Sequence, residues 1–497
     1  MRRQALVILV LLLAFGLRMV HLQSRPLWYD EAIAVFHASV SPSELVRGTV
    51  TTVGGRGAAN IHPLLYFLLL HGWIGLVGSS PLAVRFLSLV SGMLTVAVLW
   101  RLAAWCFGSR TGLAVGLLAA VSPFQVAYSQ ETRMYALLAL AAVTTVWGLL
   151  RALEEGGFRW WALYVTAAAL TLYVHNLGTF FLLAANLLAV ARRQWWRRLP
   201  ALALANLTVL ALFAPWLVGV LPKQVGFVRQ GYWLTPPGAA ELIRAAMLPI
   251  LTFYEPPPTW LLRPALFVGL LLLTLLLLRT WRTHSRAGWF LLLSWTPILL
   301  LLLVSLWRPV YLERALLPSA LFYAVAIGWL LIRGGLPRPV RLGLAALLIA
   351  TTGGSLAAHY AYIGFPRPPF QEAVTYLEAR IEPTDAVVHT NKLTYLPMHY
   401  YAPDLPGDFL ADPAGSPQDT LTRPTQEALG IFATPTITEA VGGAERVWVV
   451  YFTREVEEVQ AAGAEHAVLA WLGNRFVQAE QVGFADLAIA LYRREGR

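Results

Sequence analysis

Apolar segments of about 17 to 22 residues, each long enough to cross roughly 30 Å of hydrocarbon, recur along the first 360 residues. Nothing else in the sequence restricts the fold as tightly. In lipid the backbone must satisfy its hydrogen bonds internally, and for segments of this length helix is the form that does so. The predicted spans lie at roughly 4–22, 82–104, 110–128, 134–151, 160–175, 177–191, 199–221, 261–279, 287–306, 314–332 and 341–360, eleven in all. The apolar stretch 62–78 is shorter and follows a polar one, which predicts a helix lying in the outer interface. The first run starts after Arg2-Arg3 and ends in Leu17-Arg18-Met19-Val20-His21. It lacks the small-x-small cleavage pattern of a signal peptide and reads as a retained span with a cytoplasmic N-terminus.

Composition excludes a soluble globular chain: of 497 residues, 57% are hydrophobic and only 13% charged. The net charge of +11 could suggest a nucleic-acid partner, but its distribution argues against one. Residues 1–360 hold 28 basic and nine acidic residues, a balance of +19, whereas 361–497 balance at −8. The short links facing the N-terminal side carry 16 of those 28, including the cluster Arg192-Arg193 with Arg197-Arg198, so they are assigned to the cytoplasm. Eleven spans then place 361–497 outside. The expected architecture is a polytopic α-helical membrane body, 1–360, with long outer loops at 22–81 and 222–260, and a C-terminal extracytoplasmic α/β domain, 361–497. The second loop is proline-rich (Pro236-Pro237, Pro256-Pro257-Pro258) and is expected to be coil rather than helix. In the tail, 370–381 has helical spacing, and 385–390, 446–452 and 487–493 read as strands. Cys106 is the only cysteine, which excludes an intramolecular disulfide and a thiolate metal cage.

Against this background the acids stand out. The nine are Asp30, Glu31, Glu44, Glu131, Glu154, Glu155, Glu241, Glu255 and Glu313, and the topology places seven of them on the outer side. Acidic groups in or beside a bilayer are costly and tend to be kept for a task. Asp30 and Glu31 are adjacent, in Trp28-Tyr29-Asp30-Glu31-Ala32. A carboxylate at the wet edge of a membrane cavity can be ionised and held beside an acceptor hydroxyl, as a general base must be. The competing reading is a pair of helix N-terminal acids favoured by the dipole.

A second cluster is Tyr128-Ser129-Gln130-Glu131-Thr132-Arg133-Met134-Tyr135. On a helix Glu131 and Tyr135 would share a face, leaving Arg133 to meet an anionic ligand. In Asn60-Ile61-His62-Pro63-Leu64-Leu65-Tyr66, Pro63 suits a first helical turn and sets His62 at its start, near any anion or metal. His175-Asn176, Lys223, Arg229, Glu255, Glu313 and Arg314 are further outward polar groups. Lys223, Arg229 and Arg314 are phosphate-binding candidates as a group, against the alternative of interfacial anchors.

These motifs together resemble C-type (GT-C) membrane glycosyltransferases, specifically the family-39-like members akin to protein O-mannosyltransferases and lipid A aminoarabinose transferases. The carriers are the Asp-Glu after the first span, Asn60-x-His62-Pro63-Leu64-x-Tyr66, Ser129-Gln130-Glu131-Thr132-Arg133-Met134-Tyr135-Ala136-Leu137, and Tyr311-Leu312-Glu313-Arg314-Ala315-Leu316-Leu317-Pro318. The resemblance implies transfer of a sugar from a polyprenyl-phosphate carrier, with inversion, on the extracytoplasmic face. It makes Asp30 the base, and Glu31 and Glu131 its supports or ligands of a divalent cation, with His62 a further candidate ligand. It implies a polyprenyl-phosphate-linked donor and membrane lipid as partners, no nucleic acid, and an acceptor that is a protein, a lipid or a glycan. The chain departs from the family where His-Pro-Pro becomes His62-Pro63-Leu64, and where no lysine follows Glu131. Two other classes compete. A non-catalytic membrane scaffold or polysaccharide-assembly partner would leave Asp30 dispensable. A secondary transporter would call for repeated halves and mid-span charges, and the sequence has no internal repeat and almost no mid-span charge.

Overall fold

The computed structural model describes residues 2–50, 62–229, 234, 236–252, 258–412 and 421–494. It divides into two compact units, Met1–Leu22 with Asn60–Ala361, and Gln23–Ala59 with Tyr362–Arg497. The division departs from the linear one. Residues 23–59, expected to belong to the membrane body as its first outer loop, are part of the second unit.

In chain order the helices are α1 (Arg2–Met19), α2 (Tyr29–Ser39), α3 (Pro42–Val50), α4 (Leu65–Val77), α5 (Pro81–Phe107), α6 (Ser109–Val121), α7 (Pro123–Ser129), α8 (Tyr135–Glu154), α9 (Phe158–Val174), α10 (Gly178–Val190), α11 (Leu199–Gly219), α12 (Leu221–Arg229), α13 (Ala239–Ala245), α14 (Thr259–Thr283), α15 (Ala287–Ser305), α16 (Leu317–Arg333) and α17 (Arg338–Ala361). Every predicted span falls on helix, but the count differs. Among the described residues seven helices are long and apolar enough to cross a membrane, and α6 with α7, bent by 58°, makes an eighth. The others run short: α10, with 13 residues, rises only about 20 Å at 1.5 Å per residue. The protein is thus a multi-pass membrane protein. In the second outer loop α12 and α13 are helical where coil was expected; Pro222 sits in the first turn of α12, and Pro236-Pro237 precede α13.

The bend at the end of α6 has a local cause. Ser122 is extended and its hydroxyl accepts from the Gln125 N–H, while Pro123 occupies the first turn of α7. The turn ends one helix and caps the next. The carbonyls freed at the break find a partner in Arg18, wholly buried on α1, which donates to Ala120 O at 3.0 Å, Ala119 O at 3.3 Å and Ser129 Oγ at 3.1 Å. Nearby α16, packed against α6, α8 and α15, is buried along almost its whole length.

The second unit continues with α18 (Phe370–Glu378) and a five-stranded sheet of order β2-β1-β3-β5-β4, where β1 is Ala386–His389, β2 Asp408–Phe409, β3 Arg446–Phe452, β4 Phe476–Phe484 and β5 Leu487–Arg494. β1 runs parallel to β2 and β3, while β5 is antiparallel to β3 and β4. The three predicted strands are β1, β3 and β5. Alternate residues of β3 and β5 feed two cores, Trp448, Val450, Ile489 and Leu491 on one face, Val447, Val449, Ala488 and Ala490 on the other. Between β1 and β2 lies α19 (Lys392–Tyr401). α2 joins this unit through a third core, in which Ala32 and Ile33 pack with Leu396, Phe409, Leu421 and Ile431. Tyr401 supports the approach to α2, its hydroxyl accepting from the Leu27 N–H at 2.7 Å.

Candidate active site

In the membrane unit, side chains from four helix ends gather at one place. His62 precedes α4, Arg133 sits in the turn from α7 to α8, Tyr135 opens α8, His175 follows α9, and Arg314 lies in the 3₁₀ turn Glu313–Leu316 that leads into α16. Arg133 donates to His62 Nε2 at 3.2 Å. The His62 and His175 rings lie 5.0 Å apart, and the Tyr135 ring stands 5.9 Å from His175 and 5.2 Å from Tyr128. The Arg314 guanidinium lies over the Tyr135 ring at 5.4 Å, in cation–π range. Helix ends are where a membrane fold can place polar groups, since the backbone there is already interrupted.

His175 is 3% exposed, and burial first, then the nearby charges of Arg133 and Arg314, push its imidazole down to about 3. It is therefore neutral. Its Nδ1 accepts from the Leu177 N–H at 3.1 Å, in the tight link between α9 and α10. Gly178 makes that link this close: a Cβ there would come within 2.6 Å of the Thr171 carbonyl oxygen.

Of the other residues singled out in the sequence, Gln130 has a framework role. Its amide donates to the carbonyls of Arg18 and Val20 at 3.1 and 2.6 Å, and its oxygen lies 2.9 Å from His359 Nε2, joining the end of α1 to α17. Glu131 is buried, but 130–134 form a turn and α8 starts only at Tyr135, so Glu131 and Tyr135 do not share a helical face. Lys223 is exposed at the start of α12. The Arg229 side chain, with Asn60, Ile61 and Glu255, lies outside the described residues. Of the three proposed phosphate ligands, Arg314 is placed in the cluster. Sequence reading missed Arg18 and His359, taken as parts of apolar runs although each is an isolated polar group within one.

In the second unit Asp30 and Glu31 occupy the first turn of α2, where the helix dipole favours negative charge. Their surroundings differ sharply. Glu31 is fully buried and ion-paired with Arg367, itself 4% exposed, whose guanidinium lies 5.5 Å from the centre of the Trp28 ring and also donates to Pro26 O at 3.3 Å. Asp30 is half-buried. Arg367 went unrecognised because its setting, Gly364-Phe365-Pro366-Arg367-Pro368-Pro369, reads as a stiff link. The divalent cation fits these donors poorly. Glu31 is committed to Arg367, His62 Nε2 receives Arg133, and among the described residues no three His, Cys, Asp or Glu side chains form a ligand set. No step below runs through a metal.

The C-terminal end of β1 is closed. Lys392 opens α19 buried in an ion pair with Asp412, and Tyr395 stacks on His399 at 5.2 Å and against His389 and Phe409.

No curated protein matches the chain in sequence. Residues 61–218 match the family model described as dolichyl-phosphate-mannose-protein mannosyltransferase. Among solved structures, ArnT from Cupriavidus metallidurans in the apo state superposes with a TM-score of 0.62 at 13% identity, covering 99% of this chain and 98% of that one. The chain has the fold of ArnT. The same ArnT bound to undecaprenyl phosphate gives 0.60 at 14% identity, covering 98% and 97%. The archaeal oligosaccharyltransferase AglB from Archaeoglobus fulgidus, in complex with an inhibitory peptide and a dolichol-phosphate, gives 0.52 at 12% identity, covering 97% of this chain and 74% of that one. The likeness in fold covers both units of this chain, the mixed sheet included.

Proposed function

We propose that this protein is a glycosyltransferase that moves a hexosyl or pentosyl group from a polyprenyl-phosphate-linked donor to an acceptor hydroxyl, on the extracytoplasmic side. The observation that carries the reading is the buried cluster of Arg133, Arg314 and neutral His175 within this fold. Two guanidiniums at a buried helix-end cluster are suited to a phosphate, and relatives of the same fold bind polyprenyl phosphates. The apolar outer surfaces of the spans suit the polyprenyl tail.

The chemistry assigned is a single displacement. An acceptor oxygen forms a bond to the anomeric carbon as the bond from that carbon to the phosphate oxygen breaks, inverting the centre. The electron pair leaves with the polyprenyl phosphate, whose charge Arg133 and Arg314 stabilise. The acceptor proton passes to Asp30. Glu31, neutralised by Arg367, holds the first turn of α2 in place, and buried Glu131 is a supporting carboxylate.

Full-length protein in nanodiscs is expected to bind undecaprenyl phosphate, and Arg133→Ala or Arg314→Ala to weaken that binding about tenfold or more, the scale of a charge-assisted hydrogen bond. Unchanged affinity in both variants would remove the phosphate assignment. Orientation has its own test. In a Cys106→Ser background, a cysteine at Ser43 is expected to react with a membrane-impermeant thiol reagent on intact cells, and one at Thr283 is not. The opposite pattern inverts the topology and withdraws the extracytoplasmic reaction.

A further inference from the structure

The tautomer of His175 is set by the backbone. Because Nδ1 accepts the Leu177 N–H, a neutral ring must carry its proton on Nε2. That nitrogen is buried and has no hydrogen-bond partner among the described residues. A buried donor left without an acceptor is costly, and a fold retains one where a ligand completes it. The ring around it belongs to His62, Tyr135 and, through them, Arg133 and Arg314.

We propose that His175 Nε2–H is a fixed, uncharged hydrogen-bond donor to a phosphate oxygen of the polyprenyl-phosphate donor, a third contact beside the two guanidiniums. The inference rests on the phosphate reading of this cluster and deepens it. A neutral donor has a distinct use here. Burial first, and then the charges of Arg133 and Arg314, disfavour a further positive charge on this ring. An N–H held by the chain's own backbone adds a directed contact without further like-charge repulsion, and its direction needs no reorganisation when the ligand arrives.

Side-chain amides separate this role from a packing role. Glutamine places an amide N–H where Nε2 stands but loses the acceptor for Leu177. Asparagine places an acceptor where Nδ1 stands but loses the outward donor. Undecaprenyl phosphate binding to full-length protein in nanodiscs is the readout, with thermal unfolding alongside. His175→Gln is expected to bind within about threefold of the parent, and His175→Asn about tenfold or more weaker, the scale of one hydrogen bond to a charged group. If His175 served only to cap the α9–α10 link, the order would reverse, with asparagine the better substitute in binding and in unfolding temperature. That order, or equal binding by both variants, overturns the proposal. Should Arg133→Ala and Arg314→Ala also bind as the parent does, the phosphate reading itself falls. If they lose binding while both His175 variants keep it, the reading stands and only the donor role of His175 is lost.

Discussion

Purified Asp30→Asn is expected to transfer sugar roughly 10² to 10⁴ times more slowly than the parent, the usual cost of losing a general base. Its affinity for undecaprenyl phosphate should hold, because the groups assigned to the phosphate are Arg133, Arg314 and His175. The substitution keeps the size and polarity of a half-exposed side chain in the first turn of α2. The fall should therefore appear in the rate at saturating donor, with little change in unfolding temperature. Transfer at the parent rate would remove Asp30 as the base and favour a non-catalytic scaffold. The reading distinguishes its neighbour: Glu31 is buried against Arg367, so Glu31→Gln should lower stability more than it alters the proton-transfer step.

Arg367→Met is expected to be the most damaging single change in the second unit. It leaves the Glu31 carboxylate fully buried without the cation that compensates it, a loss of about 3–5 kcal/mol for buried pairs broken from one side. Thermal unfolding of the full-length protein measures it. The double variant Glu31→Gln, Arg367→Met should recover much of the loss, since no charge then remains to be compensated. A single variant as stable as the parent, or a double variant no better than the single, would show that the pair does not hold α2. Because α2 carries Asp30, the single variant should lose transfer as well as stability.

Much of the fold could be read from the sequence because apolar run length is a strong signal in lipid. All eleven predicted spans fall on helices, and the three strand patterns at 385–390, 446–452 and 487–493 correspond to β1, β3 and β5. Run length does not report where a run breaks. The span drawn over 110–128 continues through Ser122-Pro123, whose cap and proline split it into α6 and α7. The same blindness put Glu131 and Tyr135 on one helical face, although 130–134 form a turn. The candidate cluster was legible where polar groups sat beside helix ends: His62, Arg133, Tyr135, His175 and Arg314 meet. What escaped were pairings between residues far apart in sequence. Glu31 and Arg367 are 336 positions apart, and Gln130 and His359 are 229 apart. No local pattern encodes such pairs, because each member alone reads as an anchor or a linker residue.

The insertion of 23–59 into the second unit sets a timetable for synthesis. Asp30 is made early, yet Ala32 and Ile33 of its helix pack against Leu396, Phe409, Leu421 and Ile431. At about 5–20 residues per second, roughly 20 to 70 s separate the emergence of α2 from that of the surfaces that hold it. For that interval the helix bearing the candidate base lacks its core and the buried partner of Glu31. A chain that ends within the last spans therefore carries the candidate phosphate cluster but lacks the core against which the helix of the candidate base packs. The same wiring means that deleting 370–497 is expected to cost the proposed transfer by removing the core that seats α2.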